Sequence, residues 1–172
     1  MPRGAIDPAE AYEYLIKARS RILQRVRELT YDQYRQQFPF GHRTVRKTLV
    51  HIVDVEWWYT RILRGQPGDQ YPLNRYLRTR FEPLAQAWEE QTEETRRTLR
   101  DVRDWGAKVE SWWTTKRWRR GIRTTASAVA IQLLFHEVHH RAQVMTMLRA
   151  LDAPVQGVDY SLLEWEWFKE HK

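Results

Sequence analysis

Three of the chain's six histidines fall within five residues, in the stretch Phe135-His136-Glu137-Val138-His139-His140. An i, i+4 pair of histidines on a helix can grip one metal ion, and Glu137 completes an H-E-x-x-H pattern, which in metalloproteases adds a general base. The chain has no cysteine. Disulfides, thiolate ligands and a cysteine nucleophile are therefore excluded, and any metal must be held by histidine, carboxylate or water.

These residues need elements to position them. Asp7-Pro8-Ala9-Glu10 reads as a helix start, with Asp7 as cap and Pro8 at the first helical position. Leu15, Ala18, Ile22, Val26 and Leu29 then recur at helical spacing, which predicts helix one over about 8–29. Phe38-Pro39-Phe40-Gly41 interrupts the pattern. Val45, Ile52, Val55, Trp58, Tyr59 and Ile62 predict helix two over about 44–64. A turn-rich, polar stretch from residue 65 separates it from helix three, which Pro83 opens and which ends near Gly106. Residues 107–123 lack a helical period and read as an ordered loop that can hold a short hairpin. Helix four runs from Thr124 or Thr125 to about Leu151, and Ser161-Leu162-Leu163-Glu164 reads as a capping box opening a short C-terminal helix. The expectation is an all-α fold, a four-helix bundle with a long irregular connection between helices three and four.

Helical wheels select among the histidines. On helix four Val129, Leu133, Val144, Met147 and Leu151 make one apolar stripe; His140 lies near its centre and His136 about 40° away. His139 points elsewhere. On helix two His51 lines up with Val55, Trp58 and Ile62, so it too faces inward. Neighbouring bundle helices can thus present one imidazole to an i, i+4 pair. A single core histidine is commonly just hydrogen-bonded to a neighbour. Burying three without partners would cost a few kcal/mol.

At 172 residues the chain suits a single domain, 1–172, able to bury about 70% of its unfolded surface. No signal-like or membrane-spanning apolar run is present, so no membrane partner and a cytoplasmic location are expected. The formal charge of +7 comes mostly from arginine, 23 against 6 lysines, and acidic residues are interspersed. Nucleic acid is one partner such a charge can serve. The segment Lys116-Arg117-Trp118-Arg119-Arg120, with Trp112 and Trp113 nearby, interleaves basic and stacking groups in the manner of a nucleic-acid binder. The plainer reading pairs these arginines with carboxylates and lays the tryptophans against the bundle.

Thr48-Leu49-Val50-His51-Ile52, with the run through Trp57, Trp58 and Leu63, resembles the helix-two signature of the DinB/YfiT-like proteins. His136 to Gln143, followed by Met147-Leu148-Arg149 and Asp159, resembles that family's H-x-x-x-H-R-x-Q segment and its continuation. The resemblance spans nearly the whole chain. It implies a four-helix bundle, usually a homodimer, with a divalent metal on three histidines; carried over, these are His51, His136 and His140. Where the family often has glycine after helix four this chain has Asp152, so that helix end is expected to differ locally.

A metzincin is excluded because Gln143 and Thr146 stand where its continuing motif would lie. A gluzincin could recruit Glu164, but it would leave His51 without a role, so Glu137 reads as a coincidence inside an H-x-x-x-H pair.

Three neutral imidazoles leave the ion's charge uncompensated and a coordination position open, which makes the site a Lewis acid able to lower the pKa of water to about 7 or to deprotonate a thiol. Zinc or nickel suits imidazole best; iron and manganese are compatible. Asp54 and Gln143, each near a predicted ligand, are candidates to orient the imidazoles. Relatives of this kind include transferases and isomerases that use low-molecular-weight thiols such as bacillithiol or mycothiol, and metal-dependent hydrolases. The resemblance therefore implies a metal-dependent enzyme on a small molecule, with thiol transfer or hydrolysis as the chemistry and the acid or base unassigned. The alternatives are a basic nucleic-acid-binding bundle and a metal-stabilised structural or sensory bundle. A second apolar set on helix four, Ile131, Leu134, Phe135, Val138, Ala142 and Met145, lies opposite the histidines and predicts a helix-to-helix dimer.

Overall fold

The computed structural model describes residues 6–66, 72–114 and 117–169. Helix α1 (Pro8–Arg27) starts as the sequence predicts: the Asp7 side chain accepts a hydrogen bond from Ala9 N–H and Pro8 lies within the first turn. A short helix that the periodicity does not show, α2 (Tyr31–Arg35), is closed by a capping box between Thr30 and Gln33. Helix α3 (Val45–Leu63) is capped by the Thr44 hydroxyl, and a 3-10 turn follows over Pro72–Arg78.

Helix α4 (Phe81–Asp101) begins two residues before Pro83, because a proline inside the first turn removes only an N–H that has no helical partner. It stops well before Gly106, where Val102 turns to an extended conformation. The following connection holds the short hairpin the sequence allows: β1 (Lys108–Thr114) and β2 (Arg119–Thr125) pair antiparallel with Trp113 opposite Arg120. Ser111 is buried and Val109 and Trp113 half-buried, while Trp112 and Glu110 point out, so one face lies on the bundle.

Helix α5 (Ala126–Ala150), capped by Thr125, carries the clustered histidines. Asp152 adopts the left-handed conformation (φ 56°), and Ala153 N–H reaches back to Leu148 C=O, so the helix closes as it would with glycine. The expected local difference does not occur. The C-terminal helix α6 (Tyr160–Glu164) corrects another expectation. Asp159, and not Ser161, is its cap residue, and Glu164 ends the helix with its carboxylate on Lys17 Nζ at 2.8 Å.

The four long helices pack as a bundle in which α1 and α3 each contact both α4 and α5, and the hairpin leans on α3 and α5. Two apolar layers fill it. One is built around Tyr12, Leu15, Leu99, Ala130 and Leu133, and the larger around Ile22, Leu49, Ile52, Leu84, Trp88 and Met147. Along every long helix a polar band separates them. Arg19, Glu56 and Glu137, only 5%, 3% and 4% exposed, meet at its centre. Arg19 donates to Glu137 at 3.1 and 2.5 Å, to Glu56 at 2.9 Å and to Thr92 Oγ1 at 2.7 Å. Glu56 also accepts from Tyr12, from Trp88 Nε1 at 2.9 Å and from Thr95 at 2.9 Å. A charge buried this deeply persists only when paired and fully hydrogen-bonded, as here.

Candidate functional site

The band fixes the rotation of α5. With Glu137 held inward by Arg19, its neighbours His136 and His140 emerge half-buried on the adjoining side, where α3 presents His51. The three histidines expected from the sequence come together: ring centroids lie 4.8 Å apart for His51 and His136, 4.6 Å for His51 and His140, and 4.5 Å for His136 and His140. His136 Nε2 and His51 Nε2 share a hydrogen bond at 3.0 Å. His139 is exposed, as the wheel indicates, and meets the amide of Gln143 at 3.1 Å.

A fourth imidazole joins them. His42 stacks on His51 with centroids 3.9 Å apart and lies 5.1 Å from His140. Ligand nitrogens of His42, His51 and His140 all fall within 4.8 Å of one another. Sequence reasoning passes over His42 because it lies before the Thr44 cap, where no helical wheel applies. The available signal is a Gly-His pair in the turn just ahead of a helix that itself carries an inward histidine.

Gln143 accepts from His140 Nδ1 at 2.9 Å, which leaves the Nε2 lone pair of that ring free for a ligand role. Asp54, the other candidate for an orienting role, is buried one turn beyond His51. Burial pushes His51 down to about 4 and His136 to about 3, and neighbouring imidazoles add to both shifts. His42 and His140 are lowered too, chiefly by burial. All four rings are therefore neutral near pH 7, the state metal ligation requires.

The donor set fits a borderline cation. Two imidazole nitrogens on a tetrahedral zinc, each about 2.0–2.1 Å from the ion, stand about 3.3 Å apart. The 3.0 Å between His51 and His136 is close to that spacing. Among the described residues the ligand nitrogens that converge as a group of three belong to His42, His51 and His140, and His136 joins them through its bond to His51. Glu137 cannot serve as the base of an H-E-x-x-H protease, since both its oxygens face Arg19 inside the bundle.

One flank of the site is aromatic. Tyr59 lies 6.2 Å from His136, Trp58 lies 5.1 Å from Tyr59, and Trp113 of the hairpin meets Trp58 edge-on at 5.7 Å. Within the hairpin Arg119 of the basic segment stacks on Trp112, and nearby Arg123 pairs with Glu110 at 2.7 Å. Lys116 falls outside the described residues. A cleft of about 550 Å³, lined by Leu63, Arg64, Glu94, Arg97, Thr98, Asp101 and Val102, contains none of the histidines. Volume alone does not assign chemistry to it, because it lacks convergent ligands of the kind described above.

Compared with known proteins, the chain matches the model of the DinB family over residues 1–171. Among curated proteins no relative matches it.

Proposed function

The chain belongs to the DinB family, and on that premise we propose that it is a metal-dependent enzyme acting on a small molecule, with a divalent cation held by His51, His136 and His140. The observation that supports this reading is the gathering of the His51, His136 and His140 rings from two helices, 4.5–4.8 Å apart by their centroids, beside a converging group in which His42 accompanies His51 and His140. A cation can take up several imidazole lone pairs at once, in place of the hydrogen bond that His51 and His136 share. When bound, such an ion supplies Lewis acidity. Zinc or nickel fits the imidazole set best.

The protein's own groups do the rest. Gln143 fixes the His140 tautomer, the Arg19–Glu137 pair holds the helix that carries two of the ligands, and Tyr59 stands beside His136 with Trp58 and Trp113 behind it. Thiol S-transfer and hydrolysis are the reactions this arrangement serves. One domain over the full length and a homodimer complete the proposal. In support of the dimer, Ile131, Phe135 and Val138 on the far face of α5 are 47%, 64% and 40% exposed in the single chain. Dimerisation is checked by sedimentation at micromolar concentration, where a monomer would count against it. No helix among the described residues is long and apolar enough to cross a membrane, and a cytoplasmic enzyme is in keeping with this.

The test is to strip the protein with a chelator, reload it with one equivalent of zinc or nickel, and assay it with thiol-plus-electrophile pairs and with ester and amide panels. Turnover that returns with metal and is lost in His140→Ala supports the proposal. A loaded protein without turnover, whose cobalt-substituted form ignores every added thiol, points instead to a metal that only stabilises the bundle.

A further inference from the structure

Three of the clustered imidazoles sit on long helices, and the fourth does not. His42 lies on the 38–43 loop, which is shaped by a Phe38 N–H bond to Arg43 C=O at 2.7 Å and an Arg43 N–H bond to Phe40 C=O at 3.0 Å. Gly41 (φ 54°) and Arg43 (φ 70°) take left-handed conformations that turn the chain back over α3. Phe38 anchors the loop by its burial in the larger apolar layer. The fold-back is what stacks the His42 ring on His51 and brings a ligand nitrogen of His42 within 4.8 Å of those of His51 and His140.

The same loop touches the partner of another ligand. A Cβ on Gly41 would stand 2.6 Å from Oε1 of Gln143, the atom that meets His140 Nδ1. The loop thus brings one imidazole and backs the group that orients another. The His42 ring is half-buried against those of His51 and His140.

We propose that His42 is a fourth, loop-borne ligand to the cation held by His51, His136 and His140, and that an entering anionic group takes over its coordination position. The proposal rests on the metal-centre reading above. The helical ligands have little freedom to leave: His136 and His140 flank Glu137, which Arg19 clamps in the core, and His51 lies in the middle of α3. His42 is held by a loop with a single buried side chain and two backbone bonds, so its departure leaves the bundle intact. Exchange therefore occurs at His42. Proton balance is undisturbed, since a neutral imidazole leaves and an anion enters.

The experiment compares wild type with His42→Ala, His42→Gln and His42→Gly, using zinc competition against a chromophoric chelator, the visible spectrum of cobalt-substituted protein, and azide as the anionic probe. His42→Ala and His42→Gln are expected to lose zinc affinity by about 10–100-fold, at least what loss of an orienting partner costs, and to shift the cobalt spectrum. Added imidazole should restore the wild-type spectrum in His42→Gly. Azide should bind His42→Ala about tenfold more tightly than wild type, because it no longer competes with a resident ligand. Unchanged zinc affinity and an unchanged cobalt spectrum in both His42→Ala and His42→Gln would overturn the fourth-ligand proposal while leaving the metal centre standing. A wild-type protein that binds no metal would overturn both.

Discussion

Two polar clusters lie at the same level of the bundle, and they are built on opposite principles. The Arg19–Glu56–Glu137 cluster is deeply buried: one guanidinium serves two carboxylates, burial pushes Glu137 up, and hydroxyl, phenol and indole donors complete the bonding. The histidine cluster one residue away on α5 is half-exposed and assembled from rings of one chemical kind, each made neutral by its surroundings. The first is complete with protein atoms alone. The second gathers neutral imidazole nitrogens, joined by one ring-to-ring hydrogen bond and one bond to Gln143, a donor set that suits a divalent cation. The contrast also explains Glu137: the residue that completes a protease pattern in the sequence belongs to the first cluster and serves the second only by holding its helix in place.

The contrast is sharpest when each cluster is broken separately. Arg19→Ala strands two buried carboxylates, so it should destabilise the fold by about 3–5 kcal/mol, read as a fall in the urea midpoint with or without metal. The histidine cluster should behave in the opposite way. His140→Ala should leave the apoprotein's stability nearly unchanged but abolish the stabilisation by metal. In wild type that stabilisation should reach about 2.7 kcal/mol at free zinc a hundred times Kd, or about 5–11 °C in Tm. If Arg19→Ala were benign, or His140→Ala collapsed the apoprotein, the division of roles would be wrong.

Acid should separate the clusters as well. His51 and His136 have folded values of about 4 and 3, below about 6.5 for a free histidine. Between these limits the unfolded chain binds more protons, so apoprotein stability rises with pH. The contribution of these two histidines should fall as pH drops from about 6.5 and level off below about 3, while carboxylates held low by arginine, such as Glu13, add their own loss at the acid end. Replacing His136 with Asn should flatten that profile, as measured by urea midpoints at several pH values. An identical slope in the variant would remove the histidines as its cause.

A smaller effect tests the end of α5. Asp152 holds a left-handed conformation that glycine adopts without strain. Asp152→Gly should therefore stabilise by at most about 1 kcal/mol, seen as a higher urea midpoint at an unchanged slope.

The helices and the pair of histidine-bearing segments were legible because they rest on a period of 3.6. Leu15, Ile22 and Val26 announce α1, and His51, His136 and His140 fall on inward faces by the same geometry. What was not legible depends on contacts between distant segments. The inward turn of Glu137 is set by Arg19, 118 residues away, and no local pattern encodes it. His42 sits outside any helix, and its position follows from Gly41, Arg43 and the burial of Phe38. The Thr30 and Gln33 capping box of α2 was present in the sequence but had no apolar period behind it to draw attention. The hairpin's exact strands are less legible because their alternation is interrupted by exposed aromatic residues such as Trp112, whose ring is covered by Arg119 and not by the core.

The central claim is that imidazoles from α3 and α5 share one cation. It is tested most directly by elemental analysis of protein purified without added metal or an affinity tag, comparing wild type with His51→Ala and His140→Ala. The expected result is one equivalent of zinc or nickel in wild type and its loss in each variant, with all three proteins folded. Metal retained at full occupancy in both variants, or a wild type that takes up none even when zinc is supplied, would contradict it.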